Sequence, residues 1–302
     1  MRKFTKVSGT KINDSDICRV KLMKHIVQVE YLQKESSGFH NIKAIDKDSY
    51  IYLPDGEIKA YNHADNRSQS VASLKRSFRK IRDLINNNFF GDDSELHLIL
   101  TYSENMRDTV RLYSDFDSFN KRLKRRYPGL EYIDVVEPQG RGAWHHHCLL
   151  KWDKPLFIPF SELSEIWGHG YVLIRRLNDV DNIGAYLCAY LGDVELDDET
   201  LKVAVQQKLA VKDVDVQGQK KRFVKGGRLH LYPPGMNLFR HSRGMRYPEV
   251  KKMLYRDVKK IVGSRKPNYS QTIEIREVEN QNKIENKLLN RICYENYNIK
   301  RD

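Results

Sequence analysis

The chain has 302 residues, with 53 Lys and Arg against 40 Asp and Glu, a formal net charge of +13. That length suits one large domain, or a core domain with additions at its ends. The charge favours a polyanionic partner, and no apolar run reaches the roughly eighteen residues of a membrane span. Met1-Arg2-Lys3-Phe4-Thr5-Lys6 has the charge of a secretory leader but no apolar core after it. The expectation is therefore a cytoplasmic protein whose partner is nucleic acid and not a membrane. The cysteines, at 18, 148, 188 and 293, form no Cys-x-x-Cys pair. That argues against a zinc knuckle or a disulfide framework. Cys148 and Cys188 sit in apolar patterns and read as small core residues.

Residues 1–65 read as a β-rich accessory segment. Ser49 to Leu53, the turn Pro54-Asp55-Gly56, and Glu57 to Tyr61 predict a hairpin. Ser68 to Phe89 predicts a helix, with Val71, Leu74, Phe78, Ile81 and Ile85 on one apolar stripe. Leu96 to Tyr102 predicts a short apolar strand. A second helix is expected from Asp115 to Tyr127, with a capping box at Ser114 and Asp117. Its stripe is Phe116, Phe119 and Leu123, and Pro128-Gly129 stops it. Its other face carries Lys121, Arg122, Lys124, Arg125 and Arg126. Such runs are usually solvated surface. Two basic helices bracketing one strand tilt the reading toward contact with DNA phosphates, with Lys121, Arg122 and Arg125 as candidates.

Two strands follow, Leu130 to Glu137 and Ala143 to Trp152, joined by the turn Pro138-Gln139-Gly140-Arg141-Gly142. Phe160 to Trp167 is a short helix, Gly170 to Arg175 a strand. Asp179 is placed to cap a helix that runs to Gly192. Residues 193–220 read as an insertion and Pro248 to Val262 as helical. From Gly263 onward the chain is polar, either a loose helix or a tail. This order predicts an α+β fold built on an antiparallel sheet, not a doubly wound one. The expected division is 1–65, 66–262 and 263–302.

Side chains alternate faces along a strand. His145 and His147 therefore share a face and can chelate one ion, while His146 points the other way and reads as a packed core residue. Glu137, eight positions before His145, is folded back by the hairpin to supply a third ligand. Two imidazoles and a carboxylate leave room for water and a phosphate oxygen, which suits Mn²⁺ or Mg²⁺ in phosphoryl transfer. On the helix that ends near Gly192, Ile183, Leu187 and Leu191 form the buried stripe. Tyr186 and Tyr190 lie one turn apart on its flank. Such tyrosines usually pack at a core edge. The histidine site, and the small residues Gly184, Ala185 and Ala189, raise the alternative of a nucleophile pair.

These residues resemble the HUH endonuclease superfamily, in particular the two-tyrosine rolling-circle replication initiators of plasmids and phages. Ile99-Leu100-Thr101-Tyr102 looks like the first-strand motif. Glu137 through His147 is similar to the metal motif, and Tyr186-Leu187-Cys188-Ala189-Tyr190 to the two-tyrosine motif. Trp167, Gly170 and Arg240-His241-Ser242-Arg243-Gly244 also fit that branch. The resemblance covers about residues 70–248. It implies an about five-stranded antiparallel sheet with flanking helices, of the HUH and RNA-recognition-motif type. It further implies His145, His147 and Glu137 as metal ligands, and Tyr190 and Tyr186 as nucleophiles. The implied activity is nicking of single-stranded DNA at an origin or hairpin, in a bacterial host cell whose helicase and replication machinery act as partners. The sequence carries no P-loop of its own. There are two departures from the pattern. His146 stands where an apolar residue is usual. Asp193 stands where many members have a lysine, and Arg141, Arg175 or Arg176 are the candidates to replace that charge near DNA. A transposase or relaxase of a mobile element would use the same chemistry. A non-catalytic single-stranded nucleic-acid binder, in which His and Tyr merely pack, is the reading without chemistry.

Overall fold

The described elements form two compact units, Met1–Ala64 with Glu249–Asp302, and Asp65–Pro248. The computed structural model describes residues 2–35, 41–62, 71–139, 142–178, 180, 182–192, 194–195, 211–216, 219–224, 231–233, 235–277 and 287–300.

In chain order the first unit begins with β1 (Arg2–Ser8), β2 (Ile17–Met23), β3 (Ile26–Leu32), β4 (Ile42–Ala44), β5 (Ser49–Tyr52) and β6 (Glu57–Ala60). The second unit holds α1 (Val71–Asn88), β7 (Glu95–Leu100), α2 (Thr109–Arg126), β8 (Glu131–Pro138), β9 (Trp144–Lys151), α3 (Phe160–Trp167), β10 (Val172–Arg175) and α4 (Ile183–Gly192). It continues with β11 (Val194–Glu195), β12 (Val211–Val216), β13 (Gln219–Val224) and β14 (Phe239–His241). The chain then returns to the first unit with β15 (Val250–Leu254), α5 (Tyr255–Val262), β16 (Tyr269–Glu277) and β17 (Lys287–Asn298).

In the first unit the strands run β1-β16-β17-β3-β2-β15 across one six-stranded sheet. Tyr255, Val258 and Val262 of α5 bury one face of it with Cys18, Val20, Val27, Val29 and Tyr297. Buried Glu295 accepts from the hydroxyls of Tyr255 at 3.0 Å and Tyr297 at 2.7 Å. A buried carboxylate is tolerated only when it is so satisfied. The expected hairpin is present as β5 and β6, with β4 as a third strand. Two expectations are corrected. Residues 250–254 are a strand paired with β2, and the helical stripe starts only at Tyr255. The supposed tail from 263 contains β16 and β17, which fill the sheet between β1 and β3. Their half-buried faces tolerate polar residues, which gives them the composition of solvated chain.

The second unit has a five-stranded sheet in the order β10-β7-β9-β8-β14, every neighbour antiparallel. This is the α+β antiparallel architecture expected. Helices cover both faces. Phe116 of α2 and Trp167 of α3 both pack on the His146 ring, at 5.0 and 5.8 Å between centroids. On the other face Tyr186 of α4 meets the His97 ring edge-on at 6.2 Å. Ile81, Leu84, Ile85, Leu112, Phe116, Phe119, Leu123 and Leu187 are fully buried in the core. Each such side chain contributes about 1.5–3 kcal/mol.

Helix α2 begins earlier than the sequence pattern suggests. Asp108, not Ser114, is the cap, accepting from the Val110 and Arg111 amides. Leu112 extends the stripe by one turn. Helix α3 ends as expected, at Gly168 with φ +70°.

Candidate metal and tyrosine site

The site grows from the β8–β9 hairpin. Its register pairs Glu137 with His145 and Val135 with His147. Period-2 alternation then places Glu137, His145 and His147 on one face. The turn closes through the Gln139 amide to the Ala143 carbonyl at 2.7 Å and the Gly142 amide to the Gln139 carbonyl at 2.8 Å. Gly142 has φ +83°, a conformation that favours glycine. Gly140 and Arg141 lie outside the described residues.

His145 Nε2 is 2.9 Å from Glu137 Oε2, and His147 Nε2 is 2.5 Å from the same oxygen. The two Nε2 atoms are 3.0 Å apart. One ligand atom from each of these residues lies within 4.8 Å of the others, and all three are buried. Burial lowers the His145 pKa to about 4 and drives that of His147 well below its usual value. Both imidazoles are therefore neutral at pH 7, the form that binds metal. Converging neutral nitrogens around one carboxylate oxygen fit a divalent ion of open identity.

His146 does point away, as its position in the strand requires. It is not merely packed, however. Its Nδ1 lies 3.0 and 3.1 Å from the two Asp134 oxygens, both residues fully buried. Where an apolar residue would only fill space, this pair ties β9 to β8 from behind the site.

His97 has no role in the sequence reading. It is buried on β7, on the metal face, with Nε2 3.1 Å from His147 Nδ1. Its one sequence signal is parity. In the β7–β9 register Ile99 pairs with His147, so His97 falls two positions away on the same face.

Helix α4 is brought in by its small residues. A Cβ at Gly184 would lie 2.6 Å from Asn86 Oδ1 and 2.7 Å from the Arg82 carbonyl oxygen of α1. The Gly184 amide donates to Asn86 Oδ1 at 3.0 Å. The start of the helix is capped by Asn182, whose Oδ1 accepts from the Ala185 amide at 2.8 Å. Asp179 lies outside the described residues. Tyr186 is half-buried, and Arg175 Nη1 donates to its hydroxyl at 3.0 Å. Arg175 and His97 are cross-strand partners, so the pair forms a floor beneath Tyr186. Tyr190 follows one turn later on α4; its side chain, like Asp193, lies outside the described residues.

The candidate phosphate contacts divide by position. Arg175 is at the site, and Arg176 is exposed, with Nη1 bonded to the Asp93 carbonyl at 3.0 Å. Lys121, Arg122 and Arg125 lie on α2, which covers the opposite face of the sheet. Arg122 also donates to the Trp167 carbonyl at 3.3 Å. The first-strand motif has a structural part. Thr101 bonds the Tyr171 carbonyl through its amide and its hydroxyl, both at 2.9 Å. Gly170 is required there, since a Cβ would come within 2.5 Å of backbone at Thr101 and Ser103.

Residues 95–195 match a family model described as replication-associated protein, of the ORF2 type. That span runs from the first residue of β7 to the last of β11 and contains the whole site. The Glu137, His145 and His147 arrangement is compatible with an HUH motif. No curated protein and no solved structure matches the chain. Among the described residues, no helix is long and apolar enough to cross a membrane.

Proposed function

We propose that this chain is a metal-dependent, site-specific single-stranded DNA endonuclease and strand transferase that initiates rolling-circle replication. The observation that carries the reading is the shared location of two groups on one sheet face. The Glu137, His145 and His147 cluster and the Arg175-bound Tyr186 are linked through His97.

Glu137, His145 and His147 would hold Mn²⁺ or Mg²⁺. The ion, once bound, offsets charge on the oxygens of the scissile phosphate. The remaining work falls to the chain. A tyrosine hydroxyl of α4, Tyr186 or Tyr190, attacks phosphorus in line. The bond from phosphorus to the 3′ oxygen breaks. The 5′ phosphate stays on the tyrosine, the phenol proton passes to solvent, and the departing oxygen takes up a proton as a 3′ hydroxyl. A free phenol has a pKa near about 10 and is a poor nucleophile at neutral pH. Arg175 answers this by holding the Tyr186 oxygen and favouring negative charge on it. A second tyrosine one turn on allows a second cut while the first end is still attached. Reversal by a 3′ hydroxyl rejoins DNA without a nucleotide cofactor. Arg176 and Arg141, with Lys121, Arg122 and Arg125 further off, would track the phosphates. A host helicase would unwind.

The test incubates the full chain with a randomised pool of single-stranded DNA and Mn²⁺, then resolves the products on a denaturing gel. A protease-sensitive covalent adduct is expected. It should vanish with EDTA and in the double variant Tyr186→Phe/Tyr190→Phe. Binding that forms no adduct and ignores EDTA would replace this reading with a non-catalytic binder.

A further inference from the structure

We infer that His97 is a positioning residue that sets the tautomer of His147, acting as hydrogen-bond acceptor when the site is loaded and as donor when it is empty. The inference rests on the metal reading given above and concerns a residue outside the ligand set.

A neutral imidazole carries one N–H and one lone pair. The His147 nitrogen that faces Glu137 and His145 is Nε2. For Nε2 to offer its lone pair to a metal, the proton must sit on Nδ1. That N–H is buried and needs an acceptor. His97 Nε2 stands 3.1 Å from it, and the two rings stack at 5.3 Å with 21° between their planes. His97 must then be protonated on its own Nδ1.

Without metal the preferred arrangement reverses. His147 Nε2 is 2.5 Å from a Glu137 oxygen, a donor position. Its Nδ1 becomes an acceptor, and His97 Nε2 supplies the proton. A carboxylate or a backbone carbonyl could serve only the loaded state. A histidine serves both, because each ring exchanges its proton between nitrogens while remaining neutral. Burial favours that neutrality, holding the His97 pKa well below its usual value. One feature fits this two-way role. His97 Nδ1 is buried and has no hydrogen-bond partner among the described residues, so neither state is locked from behind. The opposite edge of the ring system touches Tyr186, at 6.2 Å between centroids. The residue that orients a ligand therefore also abuts a candidate nucleophile.

The test compares Mn²⁺ affinity of the full chain with that of His97→Phe and His97→Gln. Phenylalanine keeps the ring and removes both hydrogen-bonding roles. Glutamine can accept or donate by turning its amide. His97→Phe should weaken Mn²⁺ binding about 10–100-fold, the usual scale for such partners, and His97→Gln should recover most of the loss. Imidazole ¹⁵N spectra of the wild-type chain, with and without diamagnetic Zn²⁺, give a second readout independent of any variant's folding. The expected result is a proton on Nδ1 of both His97 and His147 when loaded, and on Nε2 of both when empty. Unchanged tautomers overturn the inference, as does a folded His97→Phe chain that binds Mn²⁺ like wild type. Failure of the wild-type chain to bind any divalent ion overturns the metal reading itself, and this inference with it.

Discussion

Substituting Gly184 tests whether α4 is seated by close backbone contact. Alanine is a better helix former than glycine by about 0.8–1.0 kcal/mol, so on an unpacked helix Gly184→Ala stabilises. Here the added methyl would lie 2.6 Å from Asn86 Oδ1 and 2.7 Å from the Arg82 carbonyl oxygen. Relaxed carbon–oxygen contacts lie near about 3.3–3.6 Å, so the helix must retreat by more than half an ångström. The Arg82 carbonyl belongs to the α1 backbone and cannot swing aside. Overpacking of this kind costs about 1–3 kcal/mol, and stretching the buried bond from the Gly184 amide to Asn86 adds about 1 kcal/mol. The propensity gain offsets part of this and leaves a net loss of about 2 kcal/mol. For a domain of this size that lowers the melting temperature by about 4–8 °C, measurable by circular dichroism or calorimetry. Because Tyr186 rides on α4, covalent adduct formation should fall as well. A Gly184→Ala chain that melts at or above the wild-type temperature would refute the packing argument, since only the propensity term would then remain.

The buried pair behind the site predicts strong coupling. Asp134→Leu strips His146 of its acceptor and should cost about 1–3 kcal/mol, while His146→Leu strands a buried carboxylate and should cost about 3–5 kcal/mol. In urea unfolding the double variant should be clearly more stable than the sum of the two losses, and simple additivity would contradict the pairing. Acid should destabilise the metal-free protein. His145 is held near pKa 4 and His97 and His147 are also depressed, all by burial, so the unfolded chain takes up their protons first. Their contribution is complete above about pH 6.5 and is lost as pH falls toward 4, with His145 alone worth about 3 kcal/mol. Urea midpoints measured in EDTA should drop across that range; a midpoint that rose on acidification would show the histidines to be charged in the fold.

The metal cluster is legible in the sequence because it depends on local geometry. Alternation along residues 143–149 separates His145 and His147 from His146, and a short hairpin returns Glu137 to them. Parity can assign His146 to the other face, but not its partner. Asp134 lies across the strand pair, and the pairing depends on a register that the sequence does not display. His97 escapes for the same reason. Within Leu96-His97-Leu98-Ile99-Leu100 it reads as a break in an apolar strand, and only the pairing of Ile99 with His147 puts it beside a ligand. The start of α2 is misleading because Ser114 and Asp117 imitate a cap, while the working cap, Asp108, precedes a turn whose only buried apolar residue is Leu112. The strands after residue 263 are hidden by distance. β17 takes its place by pairing with β3, at the other end of the chain, and nothing local to Lys287–Asn298 points there.

That long-range pairing imposes an order on biosynthesis. The strands β1, β2 and β3 leave the ribosome first, yet the sheet they belong to lacks its middle until β16 and β17 emerge. The unit carrying the site is encoded in between, as an insertion within the other. It can complete its own sheet while the flanking one still waits, so for a time the nascent protein presents an open edge at β3. A message that stops before codon 287 would leave that edge unpaired for good, a template for self-association that the full-length chain removes with its last long strand.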